Sequence, residues 1–163
     1  MIKEVIAIIG GAGNVGNGAV TYLLKNTDFQ IVVGYFSKKP HIPQIYKERV
    51  KLKKVNVYDN KELCAFCEDV SVIVNCAGPS SEIQERIVQR CIEKDLPYVD
   101  VAGDDKLFAG IKSLLYENQK SITCVLGAGV YPGLTECMIG YAKAVLSNKI
   151  ARAVQQECRD RSR

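Results

Sequence analysis

The chain of 163 residues is 47% apolar and 25% charged, a composition that suits one globular domain with enough length to enclose a core. Its net charge of +4 is too small to point to nucleic acid, and no apolar run approaches the ~20 residues that a membrane-spanning helix needs. The N-terminus lacks a cleavable signal pattern, so a cytoplasmic address is the expectation.

Val5-Ile6-Ala7-Ile8-Ile9 is an apolar run rich in β-branched residues and reads as a strand buried on both faces. Gly11-Ala12-Gly13-Asn14-Val15-Gly16 follows, and Val15, Ala19, Val20, Leu23 and Leu24 then recur at helical spacing. Strand, glycine turn and helix in succession are the context in which G-x-G-x-x-G signals a dinucleotide site. In that reading Gly11 makes the tight turn, Gly13 lets a pyrophosphate approach the backbone, and Gly16 lets helix and strand pack closely. The helix N-terminus supplies free N–H groups and a partial positive charge to hold the phosphate.

Further along, Gln30–Phe36 reads as a second strand, and Val50–Val57 as a third, half-exposed one whose lysines suit a sheet edge. Leu63, Phe66, Cys67 and Val70 mark a short helix before the fourth strand, Val72-Ile73-Val74. Ser81 and Gln84 form a capping-box start for a helix striped by Ile83, Ile87, Val88, Cys91 and Ile92. Tyr98–Val101 is strand five, and Leu107, Phe108, Ile111, Leu114 and Leu115 stripe the next helix. Ile122–Leu126 is strand six, and Leu134, Cys137, Met138, Tyr141, Val145 and Leu146 stripe a final helix. Six strands alternating with helices predict an α/β, doubly wound parallel sheet of Rossmann type, in the order 3-2-1-4-5-6 with helices on both faces. Residues 1–146 would form it, with 147–163 a polar, arginine-rich tail.

Seven cysteines are an odd number, and Cys76, Cys91, Cys124 and Cys137 sit inside apolar patterns, as reduced thiols used for packing do. Cys64 and Cys67 form a single C-x-x-C with His41 as the one histidine, too few ligands for zinc, so no metal is expected. Lys47, Arg49, Lys51, Lys53 and Lys54 read as a charge-protected edge rather than a nucleic-acid surface, because few aromatics interleave with them.

In such a sheet ligands bind at the carboxyl ends of the strands, near the switch point between strands one and four. After strand two, where an NAD site usually carries an acid, this chain has Tyr35-Phe36-Ser37-Lys38-Lys39. A hydroxyl and two ammonium groups attract a 2′-phosphate, so Ser37 and Lys38 favour NADP(H) over NAD. Asp59, after strand three, either reaches the adenine edge or caps the following helix. Asn75-Cys76-Ala77-Gly78 is a small-residue turn that lets the backbone pass close to a ribose or nicotinamide. Asn75, Cys76, Asp100, Asp104 and Tyr131 are the polar groups at the rim; each reads as structural, and no catalytic residue is assigned.

Four ordered motifs carry a family resemblance. They are Gly11–Gly16, Val74–Pro79, Tyr98-Val99-Asp100-Val101-Ala102-Gly103, and Gly127-Ala128-Gly129-Val130-Tyr131-Pro132-Gly133-Leu134-Thr135. Together, over residues 3–146, they resemble the NADP-binding domain of the saccharopine dehydrogenase-like family. The resemblance implies a nicotinamide oxidoreductase acting on the C=N or C–N bond of an amino-acid- or polyamine-type substrate. It also implies a separate substrate domain after Leu134, for which residues 147–163 are too short and polar. The chain alone is therefore expected to bind cofactor without turning over substrate, unless a homodimer supplies the second wall.

Two other readings compete. A short-chain reductase would use Gly10, Gly13 and Gly16 as G-x-x-G-x-x-G, Asn75–Gly78 as N-x-A-G, and Tyr116 with Lys120 as Y-x-x-x-K. Against it, Tyr116 should lie about 18 Å along its helix from the carboxyl edge of the sheet, at 1.5 Å per residue. A nucleotide-sensing or partner-binding domain would keep the fold and the glycine turn but need no acid or base.

Overall fold

A computed structural model describes residues 4–145. The strands are β1 (Val5–Ile9), β2 (Gln30–Tyr35), β3 (Val50–Lys54), β4 (Val72–Asn75), β5 (Tyr98–Asp100) and β6 (Cys124–Val125). They form one parallel sheet in the order β3-β2-β1-β4-β5-β6, the doubly wound arrangement that the alternating pattern predicts. Lys51, Lys53 and Lys54 lie on β3 at one edge. The helices are α1 (Asn14–Asn26), α2 (Asn60–Phe66), α3 (Ser80–Ile83), α4 (Arg86–Glu93), α5 (Asp105–Glu117) and α6 (Leu134–Val145), with a 3-10 turn over Gln44–Arg49.

Alternation along the strands divides the core in two. Ala7, Ile9, Val32, Ile73 and Tyr98 pack with Leu63 and Phe66 of α2, Ile87, Val88, Cys91 and Ile92 of α4, and Leu107 and Ile111 of α5. On the other face Ile6, Ile8, Ile31 and Val33 pack with Val20 and Leu24 of α1. Each such aliphatic side chain, once buried, stabilises the fold by roughly 1.5–3 kcal/mol.

Beyond β1 and β2 the second face thins out. Val74 and Val99 are half-buried and, with Val101, floor an open apolar cavity of about 500 Å³ between α1 and the loop before α6; Val125, on the edge strand, is 46% exposed. Among its described residues α6 buries none, and Leu134, Met138, Tyr141 and Val145 are each more than half exposed. The stripe read as the buried face of a covering helix is therefore on the surface as far as Val145; Leu146 and the tail 147–163 lie outside the described residues.

β2, β4 and β5 end within one residue of the sequence reading, and three elements depart from it further. β3 ends at Lys54 rather than Val57, because Asn56–Asp59 turns toward α2 with the Asp59 N–H bonded to the Asn56 carbonyl at 3.0 Å. β6 pairs only at Cys124–Val125 rather than over 122–126. The single helix expected from Ser81 is two helices. Pro79 occupies the cap position, so helix begins at Ser80 and Ser81 falls inside the first turn. Gln84 then takes φ 49°, its Nε2 donates to the Ser81 carbonyl, and α4 restarts at Arg86.

One side chain of the basic cluster turns inward. The Arg49 guanidinium donates to the carbonyls of Leu24, Thr27 and Phe29 at 2.5–3.2 Å, holding the end of α1 and the entry to β2 together. Cations near a helix C-terminus also interact favourably with its carbonyl dipoles. Lys53 Nζ donates to the Ala65 carbonyl at 3.2 Å and lies 5.9 Å from the centre of the Phe66 ring.

Candidate functional site

β1 ends at the glycine turn, and the structure divides the work among its glycines differently from the sequence reading. The sharp turn is at Gly10, with φ 75°, not at Gly11; the Gly13 N–H donates back to the Gly10 carbonyl at 3.0 Å. A Cβ on Gly10 would stand 2.6 Å from the Ala77 nitrogen, so the turn sits directly against the loop after β4. Gly11 is excluded from carrying a side chain by Val33, whose Cγ1 would lie 2.6 Å from its Cβ, and its N–H donates to the Gly34 carbonyl at 3.0 Å. Gly16 is buried, and a Cβ there would strike the Gly10 carbonyl and lie 2.7 Å from Gly11 Cα. Gly16 thus seats the helix on the turn itself.

Gly13 is the exception. It is exposed, and a Cβ built on it would meet one atom within 4 Å, the Gly10 carbonyl oxygen at a tight 3.3 Å, with the rest of its surroundings free. It occupies the N-cap of α1 with no side-chain cap, and the first turn contains no acid. α2 and α5, by contrast, are each capped by an aspartate. At the start of α1, Asn14 and Val15 are exposed and Ala12 is half-buried. Unpaired N–H groups and a positive helix end beside a side-chain-free space suit a phosphate. The residues present fit a dinucleotide.

Ser37 and Lys38 follow β2 and are exposed, next to Phe36, which is 62% exposed. Asp59 is the N-cap of α2, its Oδ1 accepting from the N–H groups of Lys61 and Glu62 at 2.8 and 3.0 Å. Of the two roles open to it, the cap is the one its contacts display. Next to it the Tyr58 ring lies 5.4 Å from the Arg86 guanidinium.

Asn75 ends β4 and is 2% exposed. Its Oδ1 accepts from the Ala77 N–H at 3.0 Å and its Nδ2 donates to Asp100 Oδ2 at 3.0 Å, so both ends of the amide are engaged inside the protein. Asp100, also 2% exposed, accepts in addition from the Tyr98 hydroxyl and, through Oδ1, from the Ala102 N–H at 2.8 Å. Burial, then the adjacent Asp100 carboxylate, raises the Tyr98 hydroxyl well above the ordinary tyrosine range. This Asn75–Asp100–Tyr98 cluster is absent from the sequence reading as a unit. Its one signal is a pair of polar residues at the ends of two otherwise apolar strands.

Cys76 is half-buried, and burial, with Asp100 nearby, pushes its thiol up to about 11. At neutral pH it is a protonated thiol and a poor nucleophile. Cys76, Ala77 and the exposed Gly78 line a rim cavity of about 570 Å³ closed by Val101–Asp104 and by Tyr131, Pro132 and Glu136. Its two carboxylates serve as caps: Asp104 Oδ1 accepts from the Leu107 N–H at 2.9 Å, and Glu136 accepts from the Gly133 N–H and the Thr135 hydroxyl. Those bonds hold Glu136 below the usual carboxylate range, the Gly133 N–H first. Among the described residues no group of three histidine, cysteine or acidic side chains is placed to hold a metal, and no helix is long and apolar enough to cross a membrane.

Tyr116 and Lys120 stand at the other edge of the sheet. Tyr116 is 87% exposed near the end of α5, and Lys120 pairs with Asp95, in the turn that leads into β5, at 2.6 Å. They do not approach the rim loops, so the short-chain reductase reading loses its tyrosine and lysine.

None of the curated proteins compared with the chain matches it. Among solved structures, saccharopine dehydrogenase (L-Glu forming) from Saccharomyces cerevisiae is similar over 80% of this chain, with TM-score 0.64 and 17% identity; the chain spans 28% of that protein. A short-chain dehydrogenase/reductase from Veillonella parvula is similar over 77% of this chain and 69% of its own, with TM-score 0.58 and 18% identity. A short-chain dehydrogenase/reductase from Veillonella parvula in complex with NADP gives TM-score 0.57 and 19% identity over the same shares. These likenesses establish the Rossmann architecture. A family model, the saccharopine dehydrogenase NADP binding domain, matches residues 6–129, from β1 through the glycine turn to the loop after β6. NADP is that family's cofactor, and the chain belongs to the saccharopine dehydrogenase NADP-binding domain family.

Proposed function

We propose that residues 1–146 are the NADP(H)-binding domain of a cytoplasmic oxidoreductase acting on the C=N or C–N bond of an amino-acid- or polyamine-type substrate. Residues 147–163, which follow it, are polar and arginine-rich. The observation that carries the cofactor reading is the uncapped start of α1 opening on the space beside Gly13. Gly11, Ala12, Gly13, Asn14, Val15 and Gly16 would surround the pyrophosphate, and Ser37 and Lys38 the 2′-phosphate. Asp59 would stand toward the adenine. Asn75, Cys76, Ala77 and Gly78 would present backbone to the ribose and nicotinamide beside the rim cavity. The nicotinamide supplies hydride chemistry when bound; these residues bind and orient it.

Ser37 and Lys38, both exposed, offer a hydroxyl and an ammonium group, and no acid stands in their loop to repel a phosphate. NADPH should therefore bind more tightly than NADH by roughly 1.5–3 kcal/mol. Titration of nicotinamide fluorescence with both cofactors checks this. Equal affinities, or a preference unchanged by Ser37→Ala and Lys38→Ala, would overturn it.

The domain alone should bind cofactor without steady turnover. In support, the rim carboxylates already serve as helix caps, and the apolar cavity beneath Tyr131 and Leu134 is open. Hydride transfer needs a closed wall that excludes water and holds the reacting carbon within about 3–3.5 Å. NADPH oxidation with paired amine and carbonyl substrates, run beside the binding titration, tests this. Turnover that rises with protein concentration would instead indicate a homodimer that completes the site.

A further inference from the structure

The geometry points to Asp100 as the positioning residue of the rim: by fixing which way the Asn75 amide faces, it holds the Ala77 backbone against the glycine turn. This inference rests on the dinucleotide reading of the turn and adds a residue that does not touch the ligand.

Three donors converge on the Asp100 carboxylate: Asn75 Nδ2 at 3.0 Å, the Ala102 N–H at 2.8 Å and the Tyr98 hydroxyl. A carboxylate is acceptor-only and satisfies all three, whereas an amide turns one of its ends into a donor. The side chain of Asn75 has two ends, and Asp100 decides between them. With Nδ2 drawn to the carboxylate, Oδ1 is left facing Ala77, whose N–H it accepts at 3.0 Å.

Ala77 is the residue that meets the turn. Its nitrogen and Cα would lie 2.6 and 2.8 Å from a Cβ on Gly10, so the two backbones are in contact there. The same carboxylate fixes the Ala102 N–H, while the Ala102 and Asp100 carbonyls accept from the N–H groups of Gly127 and Ala128 at 2.7 and 2.9 Å. One buried acid therefore sets the rim loops after β4 and β5 directly and reaches the loop after β6 through the backbone. With Asn75 and Asp100 each 2% exposed, water has little access to substitute for a lost partner.

Asp100→Asn tests the assignment. With Oδ1 kept for the Ala102 N–H, the new amide presents N–H groups toward Asn75. The Asn75 amide must then flip its oxygen toward the new amide or leave two donors facing each other. Either way the Ala77 N–H meets a donor or a displaced acceptor, and the loop shifts. The expected result is NADPH affinity weakened 10-fold or more by fluorescence titration, and faster hydrogen exchange at the Ala77 amide. The exchanged pair Asn75→Asp with Asp100→Asn restores a consistent pattern: the carboxylate at position 75 accepts from the amide at position 100, from the Ala77 N–H and from the Tyr98 hydroxyl, which Asn75 already neighbours, and the Tyr98 oxygen accepts the remaining N–H. It should recover affinity to within about 3-fold of wild type, and protection at Ala77 with it.

Wild-type affinity in Asp100→Asn overturns the assignment. So does an exchanged pair that binds no better than Asp100→Asn or does not fold. If Asp100→Asn itself fails to fold, recovery of a folded, binding protein in the exchanged pair supports the assignment. A wild-type protein that binds no NADPH overturns the dinucleotide reading alone, because hydrogen exchange at Ala77 still reports the network without a ligand.

Discussion

The two halves of the sheet are finished to different degrees. Around β1 and β2 both faces are covered, α1 on one side and the α2–α4 layer on the other, and Ala7, Ile8, Ile9 and Val33 are at most 1% exposed. Around β5 and β6 one face is covered by α4 and α5, while the other leaves Val99 on the floor of an open cavity and Val125 46% exposed. The parallel sheet buries both faces only where the glycine turn stands. The difference teaches that the glycine turn stands on a fully packed support, while the wall at the other end of the sheet is not built by residues 4–145.

Substitutions sharpen that contrast. The largest effect should come from Gly16→Val, whose side chain would be driven into the Gly10–Gly11 backbone. A loss of about 3 kcal/mol or more is expected in urea unfolding. Gly13→Val, three residues away, is exposed and would meet one backbone atom, the Gly10 carbonyl oxygen at 3.3 Å, so it should cost about 1 kcal/mol in the same assay. It should nonetheless lose NADPH binding. If Gly13→Val is the unfolded variant of the two, the division of labour in the turn is wrong.

Next come the two helices. Leu24→Ala on α1 removes a side chain that is 4% exposed and should cost about 2–5 kcal/mol. Met138→Ser on α6, 62% exposed, should change stability by no more than about 0.5 kcal/mol. Comparable losses at both positions would show that α6 is packed in solution.

The smallest effect concerns capping. Asp59→Ala should cost about 1 kcal/mol in thermal unfolding, because two N–H groups of α2 lose their acceptor. Gly13→Ser adds a cap to α1 and should stabilise the free protein slightly while competing with phosphate. A variant that gains stability and keeps full NADPH affinity would separate the helix N-terminus from the cofactor.

Strand order was legible because each strand of the first half carries its own signal: an apolar run, a turn, then helical spacing. The edge position of β3 was legible from its lysines. What the sequence hid depends on contacts between distant segments. Ser81 and Gln84 have the residue types of a capping box, but the proline two positions before Ser81 sets where the helix starts. Gly110 stands inside α5 with no local signal, and the Glu85 side chain, from the break between α3 and α4, lies against it. Gly10 and Gly11 look interchangeable in a run of glycines, and the positive φ of Gly10 and the approach of Ala77 and Val33 tell them apart. The apolar stripe of α6 has the period of a covered face, and periodicity does not say which surface covers it.

Arg49 bears on how this sequence can drift. Every acceptor it uses is a main-chain carbonyl, those of Leu24, Thr27 and Phe29. Main-chain acceptors persist whatever side chain is attached to them, so the three residues are free to vary without regard to the arginine. Arg49 has no such freedom: a lysine presents a single ammonium where the planar fork reaches three carbonyls at once. Covariation between positions 49 and 24, 27 or 29 should therefore be absent across homologues even though the contact is tight. A method that infers proximity from paired substitutions would miss the tie that holds the first helix to the edge strand.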